Sequence, residues 1–148
     1  MYCKWLVMGL ILGVSACQKT EELQPIVADE RSDSVNKSIA LFDSTGQSLV
    51  AQGDFVSNVH TTSGNIKLYE KAGRYTLVFN QFKTDPGPDL RIYLSEDQAA
   101  SVAVEVSGKV NTGNYFIELP AEANPRSQKF VLIWCKRFSV LFGNALLR

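Results

Sequence analysis

Cys135, His60 and Asp89 are the side chains of this sequence whose chemistry could make them more than scaffold. A thiolate is a nucleophile, a redox group and a soft metal ligand. An imidazole titrates near neutral pH and also binds metals, and a carboxylate can orient either of them. Cys135 lies inside FVLIWCKRFSVLFG, residues 130–143, an apolar run broken by one thiol and two cations. Activation calls for nearby cations or partial exposure, because the thiolate is the reacting species. Lys136 and Arg137 follow directly, and strand alternation puts Arg137 on the Cys135 side. The same alternation puts Val131 and Ile133 there, and an apolar face raises a thiol's pKa. Inert packing and a reactive thiol therefore both fit the pattern.

His60 is the one histidine, followed by Thr61-Thr62-Ser63-Gly64. That context reads as a turn with the histidine hydrogen-bonded to backbone, and a ligand or acid/base role is the alternative. Asp89 follows Pro88 at the start of an apolar alternation, where its carboxylate suits the backbone N–H groups of the turn; Asp85 reads the same way. Cys135, His60 and Asp89 satisfy the residue types of nucleophilic catalysis, but only mutual geometry could make them a triad. One histidine and one thiol fall short of a structural zinc set, so no metal site is expected. Covalent haem is excluded by the lack of a Cys-x-x-Cys-His motif, while non-covalent haem or another prosthetic group stays compatible.

The first residues, MYCKWLVMGLILGVSACQKT, hold one cation and then an apolar stretch too short to span a bilayer. Val14-Ser15-Ala16-Cys17 resembles the bacterial lipobox, which implies cleavage after residue 16 and acylation of Cys17, with palmitate-type chains anchoring the protein to a membrane. The expected location is the bacterial cell envelope, periplasmic or surface-facing. Cys3 then leaves with the signal and Cys17 is consumed by lipid, so Cys135 is the remaining thiol and an internal disulfide is excluded.

The chain divides into a signal over 1–16, a polar tether over 17–39 and a domain over 40–148 that carries these residues. The tether has no sustained period and too little apolar surface to offset ordering entropy, though a short helix within 28–42 is compatible with it. From Ser48 onward, short apolar runs are broken by Gly, Asn, Asp and Pro, the signature of an all-β fold, a single antiparallel β-sandwich or barrel-like domain. Lys71-Ala72-Gly73-Arg74 makes a hairpin between runs holding Ile66/Leu68 and Leu77/Phe79. Asp85-Pro86-Gly87-Pro88 predicts a type II turn with Gly87 at positive φ. Phe130–Cys135 and Phe138–Phe142 are apolar on both faces and predict two central strands joined at Lys136-Arg137. Trp134, Phe79, Phe82, Phe116, Phe138 and Phe142 read as core. Basic and acidic residues balance at 15 each, so nothing marks a nucleic-acid partner. Phosphate loops, paired-carboxylate sites and nucleotide fingerprints are absent from the sequence.

Taken together, GDFVSNVHTTSGNIKLYE, GRYTLVFNQFKTDPGPDLRIYLS and VLIWCKRFSVLFGNALL resemble the electron transfer DM-thirteen domain family over Gln52 to Leu147. The specific elements are His60 to Gly64, Gly87-Pro88-Asp89-Leu90 leading into Tyr93-Leu94, and Trp134-Cys135 followed by Phe138 and Phe142-Gly143-Asn144-Ala145. Glu105-Val106-Ser107-Gly108-Lys109 departs from the family's usual leucine-glycine-leucine-lysine step. The resemblance implies an all-β domain and a redox role for Cys135, as a bare thiol or a prosthetic-group ligand. The resulting expectation is a lipid-anchored envelope domain, not a conventional enzyme, with electron transfer or thiol redox centred on Cys135 and an envelope redox partner. The alternative is a non-catalytic binding or scaffolding module for an envelope glycan or protein, with His60 and Asp89 as binding residues.

Overall fold

The computed structural model describes residues 42–148; the expected signal, the acylated Cys17 and the tether lie outside the described residues. Eight strands follow in order: β1 (Ser48–Ser57), β2 (Thr62–Lys71), β3 (Arg74–Thr84), β4 (Leu90–Ser95), β5 (Ala103–Ser107), β6 (Gly113–Glu118), β7 (Phe130–Cys135) and β8 (Val140–Leu146). They form one curled antiparallel sheet in the order β5-β4-β7-β8-β1-β2-β3-β6, a half-barrel with its core inside the curl. The all-β, barrel-like expectation therefore holds, with no helix among the described residues.

Alternation explains most of the core. Ile66 and Leu68 on β2, Ile92 and Leu94 on β4, and Val131, Ile133 and Cys135 on β7 all have no exposed surface and point into the curl. The β2–β3 hairpin turns through Ala72 (φ 51°) and Gly73 (φ 79°), closed by the Lys71–Arg74 pair. Positive φ at both central residues matches the right-handed twist of the strands it joins.

β3 breaks the alternation. A bulge between Phe79 and Phe82 has Gln81 at φ 48°, so rings three positions apart both face the core. The bulge presses against Gly64 (φ 115°), where a Cβ would sit 2.7 Å from Phe82 Cα and 2.9 Å from Asn80 O. Gly64 thus serves both its own backbone and its neighbour's irregularity.

Four sequence expectations are corrected here. Gly87 does not adopt positive φ. Its lack of a side chain serves close packing instead, since a Cβ would lie 2.8 Å from Leu90 Cδ2 and 3.0 Å from Phe142 Cζ. The last strand begins at Val140 rather than Phe138, because Cys135 pairs with Val140 and residues 136–139 are consumed in the reversal, with Ser139 at φ 54°. Phe138 consequently stands 64% exposed at the tip of that turn, not in the core. Trp134, on the opposite face from Cys135, is only half-buried.

Candidate functional site at the barrel rim

Antiparallel order brings the β1–β2 loop (58–61), the β3–β4 connection (85–89) and the β7–β8 turn (136–139) to one end of the half-barrel. His60, Asp85, Asp89 and Cys135 all belong to this rim. The His60 backbone N–H donates to Phe142 O at 3.3 Å, and its ring lies on Phe142 with centroids 3.8 Å apart. His60 Nδ1 is 3.6 Å from Asp85 Oδ2, the oxygen that accepts the Thr61 N–H at 2.9 Å. The Asp85 N–H returns a bond to Thr61 O at 3.0 Å, so the two connections are laced together. Asp85 therefore binds backbone, but that of the neighbouring loop.

Asp89 pairs with a side chain rather than with turn backbone. Its Oδ1 accepts from Arg91 Nε at 2.7 Å, while Arg91 Nη1 donates to Glu105 Oε1 at 3.0 Å. Glu105 Oε2 accepts from Tyr93 OH at 3.2 Å and from Lys136 Nζ at 3.4 Å. This outer-face network joins β4, β5 and the β7–β8 turn. The Asp89 hydrogen bond, outweighing partial desolvation, holds the Arg91 guanidinium even more firmly protonated than usual. Desolvation opposes ionisation of Glu105, but Tyr93, Arg91 and Lys136 together leave its carboxyl below the ordinary range. Desolvation, with Glu105 adding to it, raises the Tyr93 phenol. Sequence reasoning missed the network. Its only trace was the period-two pair Arg91 and Tyr93, and finding Glu105 required the Tyr93–Glu105 register.

Cys135 has no exposed surface and sits between Leu90 and Val140, its partners on the neighbouring strands. Lys136 is directed to Glu105, and Arg137 is exposed in the turn, where strand parity no longer applies. No hydrogen bond joins Cys135 to His60 or Asp89, which are engaged with Asp85 and Arg91. The residues accordingly fit neither a triad nor haem ligation: the thiol is packed in the core, and the imidazole lies against a phenyl ring. Among the described residues no group of three or more metal-binding side chains is gathered.

The electron transfer DM13 family model matches residues 54–147. The chain belongs to this family. No curated protein and no solved structure matched it. The DM13 match starts inside β1 and ends just past β8, so it takes in the end of β1, all of β2 to β8 and all four rim residues. Within the DM13 domain, the motif glycines Gly64 and Gly87 stand at close approaches of backbone or side chains that shape this rim.

Proposed function

We propose that this DM13 protein is a lipid-anchored component of a bacterial cell envelope, with Cys135 as the thiol of an electron-transfer role. The family match supports the electron-transfer part of this reading, and the lipobox-like Val14-Ser15-Ala16-Cys17 supports the anchoring. Cys135 is its candidate group because residues 42–148 contain no other sulfur. In the exchange step, the Cys135 thiolate attacks a disulfide of an envelope partner. A Cys135–partner S–S bond forms, the partner's own S–S bond breaks, and its departing sulfur takes up the proton that Cys135 released.

Burial sets a condition on that step, since the 136–139 turn and the half-buried Leu90 and Val140 must move aside first. The test is mixed-disulfide formation with a small aromatic disulfide, using the full chain carrying Cys3→Ser and Cys17→Ser. Reaction well below the unfolding midpoint, abolished by Cys135→Ala, is the expected result. Labelling that follows only global unfolding across a urea series sinks the thiol role. Anchoring has its own readout: Cys17→Ser is expected to move the protein from the membrane to the soluble fraction, and retention in the membrane removes the lipoprotein reading.

The complete burial of Cys135 favours a second reading, a non-catalytic module that captures an envelope glycan or protein while the thiol fills core space. On that reading Cys135→Ala leaves capture intact, and surface substitutions abolish it.

A further inference from the structure

Away from the rim, the outer face of β1 carries a groove of about 730 Å³, lined among others by Asp54, Val56, Asn65, Gln98, Phe130 and Asn144. Its size falls within the range of small-ligand sites, on the order of 300–1,000 Å³. One wall is the cross-strand pair Asp54 and Asn65, with Asn80, outside the groove lining, paired to Asn65 from the next strand. Asn65 Nδ2 donates to Gly53 O at 2.9 Å and to Asp54 Oδ1 at 3.1 Å, and Asn80 Nδ2 lies 3.5 Å from Asn65 Oδ1. The opposite wall is built on Asn144, only 3% exposed. Its Nδ2 donates to Asn58 Oδ1 at 2.7 Å, and its Oδ1 accepts from Gln98 Nε2 at 3.4 Å. Between the walls stands Val56, paired with Asn144 and 59% exposed.

The chemistry of these walls is specific. The wall amides are largely engaged with one another and with backbone, so what they leave to a ligand is acceptor oxygen, which suits hydroxyl donors. The lining contains one carboxylate, Asp54, and one cation, Arg148, so it selects for no net charge. Val56, Phe130 and Leu146 supply an apolar surface for C–H faces. Gln98 Oε1 and Asp54 Oδ2 have no hydrogen-bond partner among the described residues, while the bonds within each wall hold the other amides in place. Groups fixed in advance lose little entropy on binding.

We infer that this groove binds a neutral polyhydroxylated ligand, a short stretch of oligosaccharide. The inference rests on the binding-module reading and places its ligand on the outer face rather than at the rim. It requires nothing of Cys135. Val56 and Gln98 are exposed, so Val56→Glu and Gln98→Ala probe the groove from the surface.

The test is an amide-resolved NMR titration of the full chain carrying Cys17→Ser with maltotetraose, cellotetraose and chitotetraose. Saturable shifts at Val56, Asn65, Gln98 and Asn144 with at least one of the three are expected. Affinity should fall about tenfold in Gln98→Ala, the loss of about one net hydrogen bond, and stay unchanged in Cys135→Ala. Saturable shifts confined to His60 and Asp85 overturn the groove while leaving the module reading standing. No saturable shift with any of the three, or shifts that survive Val56→Glu unchanged, overturns the groove as a glycan site.

Discussion

Phe79→Ala is expected to destabilise the domain by about 3–5 kcal/mol, the usual cost of removing a fully buried phenyl ring. Phe79 stacks on Tyr115 at 4.4 Å with ring planes 7° apart, lies 5.9 Å from Phe55, and meets Phe82 edge-on at 5.4 Å. It therefore joins β1, β3 and β6, which hold the other three rings, and its loss opens a cavity that strands paired on both sides cannot collapse to fill. Domains of this size are stable by about 5–15 kcal/mol, so the variant should sit close to its unfolding threshold. Urea midpoints measure this, and a midpoint within error of the wild type would contradict the packing described. Tyr115→Phe supplies the contrast at the neighbouring ring. The Tyr115 hydroxyl is buried without a hydrogen-bond partner among the described residues, and desolvation pushes its phenol far above the usual tyrosine range. Deleting that oxygen removes an unpaid desolvation cost, so the midpoint should hold or rise.

Gly143→Ala is expected to cost about 3 kcal/mol, at the upper end for overpacking, because the new methyl would overlap the Thr62 side chain. Thr62 cannot retreat readily. Ser57 Oγ accepts its N–H at 3.0 Å and donates to its carbonyl at 3.1 Å, and its hydroxyl lies 3.2 Å from that of Thr84. The overlap arises because the sheet curls at β1 sharply enough to bring the first residue of β2 against β8, two strands away. A fall in melting temperature of roughly 10 °C or more should follow for a domain of this size. Thr62→Gly in the same chain should recover part of it. A melt that superimposes on the wild type would mean that β2 and β8 do not meet in solution as described.

The strands could be read where local chemistry decides them. Punctuation by Gly, Asn, Asp and Pro marked the all-β class, and Ala72-Gly73 between two alternating runs marked the hairpin, since a tight turn and a period of two are properties of a few adjacent residues. Readings failed where the deciding atoms lie far apart in sequence. Gly87 resembles a turn glycine until Phe142 is packed against it. Phe138 resembles core until the Cys135–Val140 pair fixes where the reversal begins. Phe82 reaches the core only through the Gln81 bulge, which depends on the absent side chain of Gly64.

For the candidate site the division is the same. Residue types available for chemistry are legible in the chain alone: one histidine and, after the lipobox cysteine, one thiol, together with the family pattern that contains them. The sequence also carried the apolar alternation of Val131, Ile133 and Cys135, which pointed to a buried thiol. Partners emerge on folding: His60 with Asp85 and Phe142, Asp89 with Arg91, Glu105 with Tyr93 and Lys136, and the amide walls about Val56. Which side chains meet depends on strand register and on the curl of the sheet, and both are set by the summed packing of eight strands rather than by any single segment.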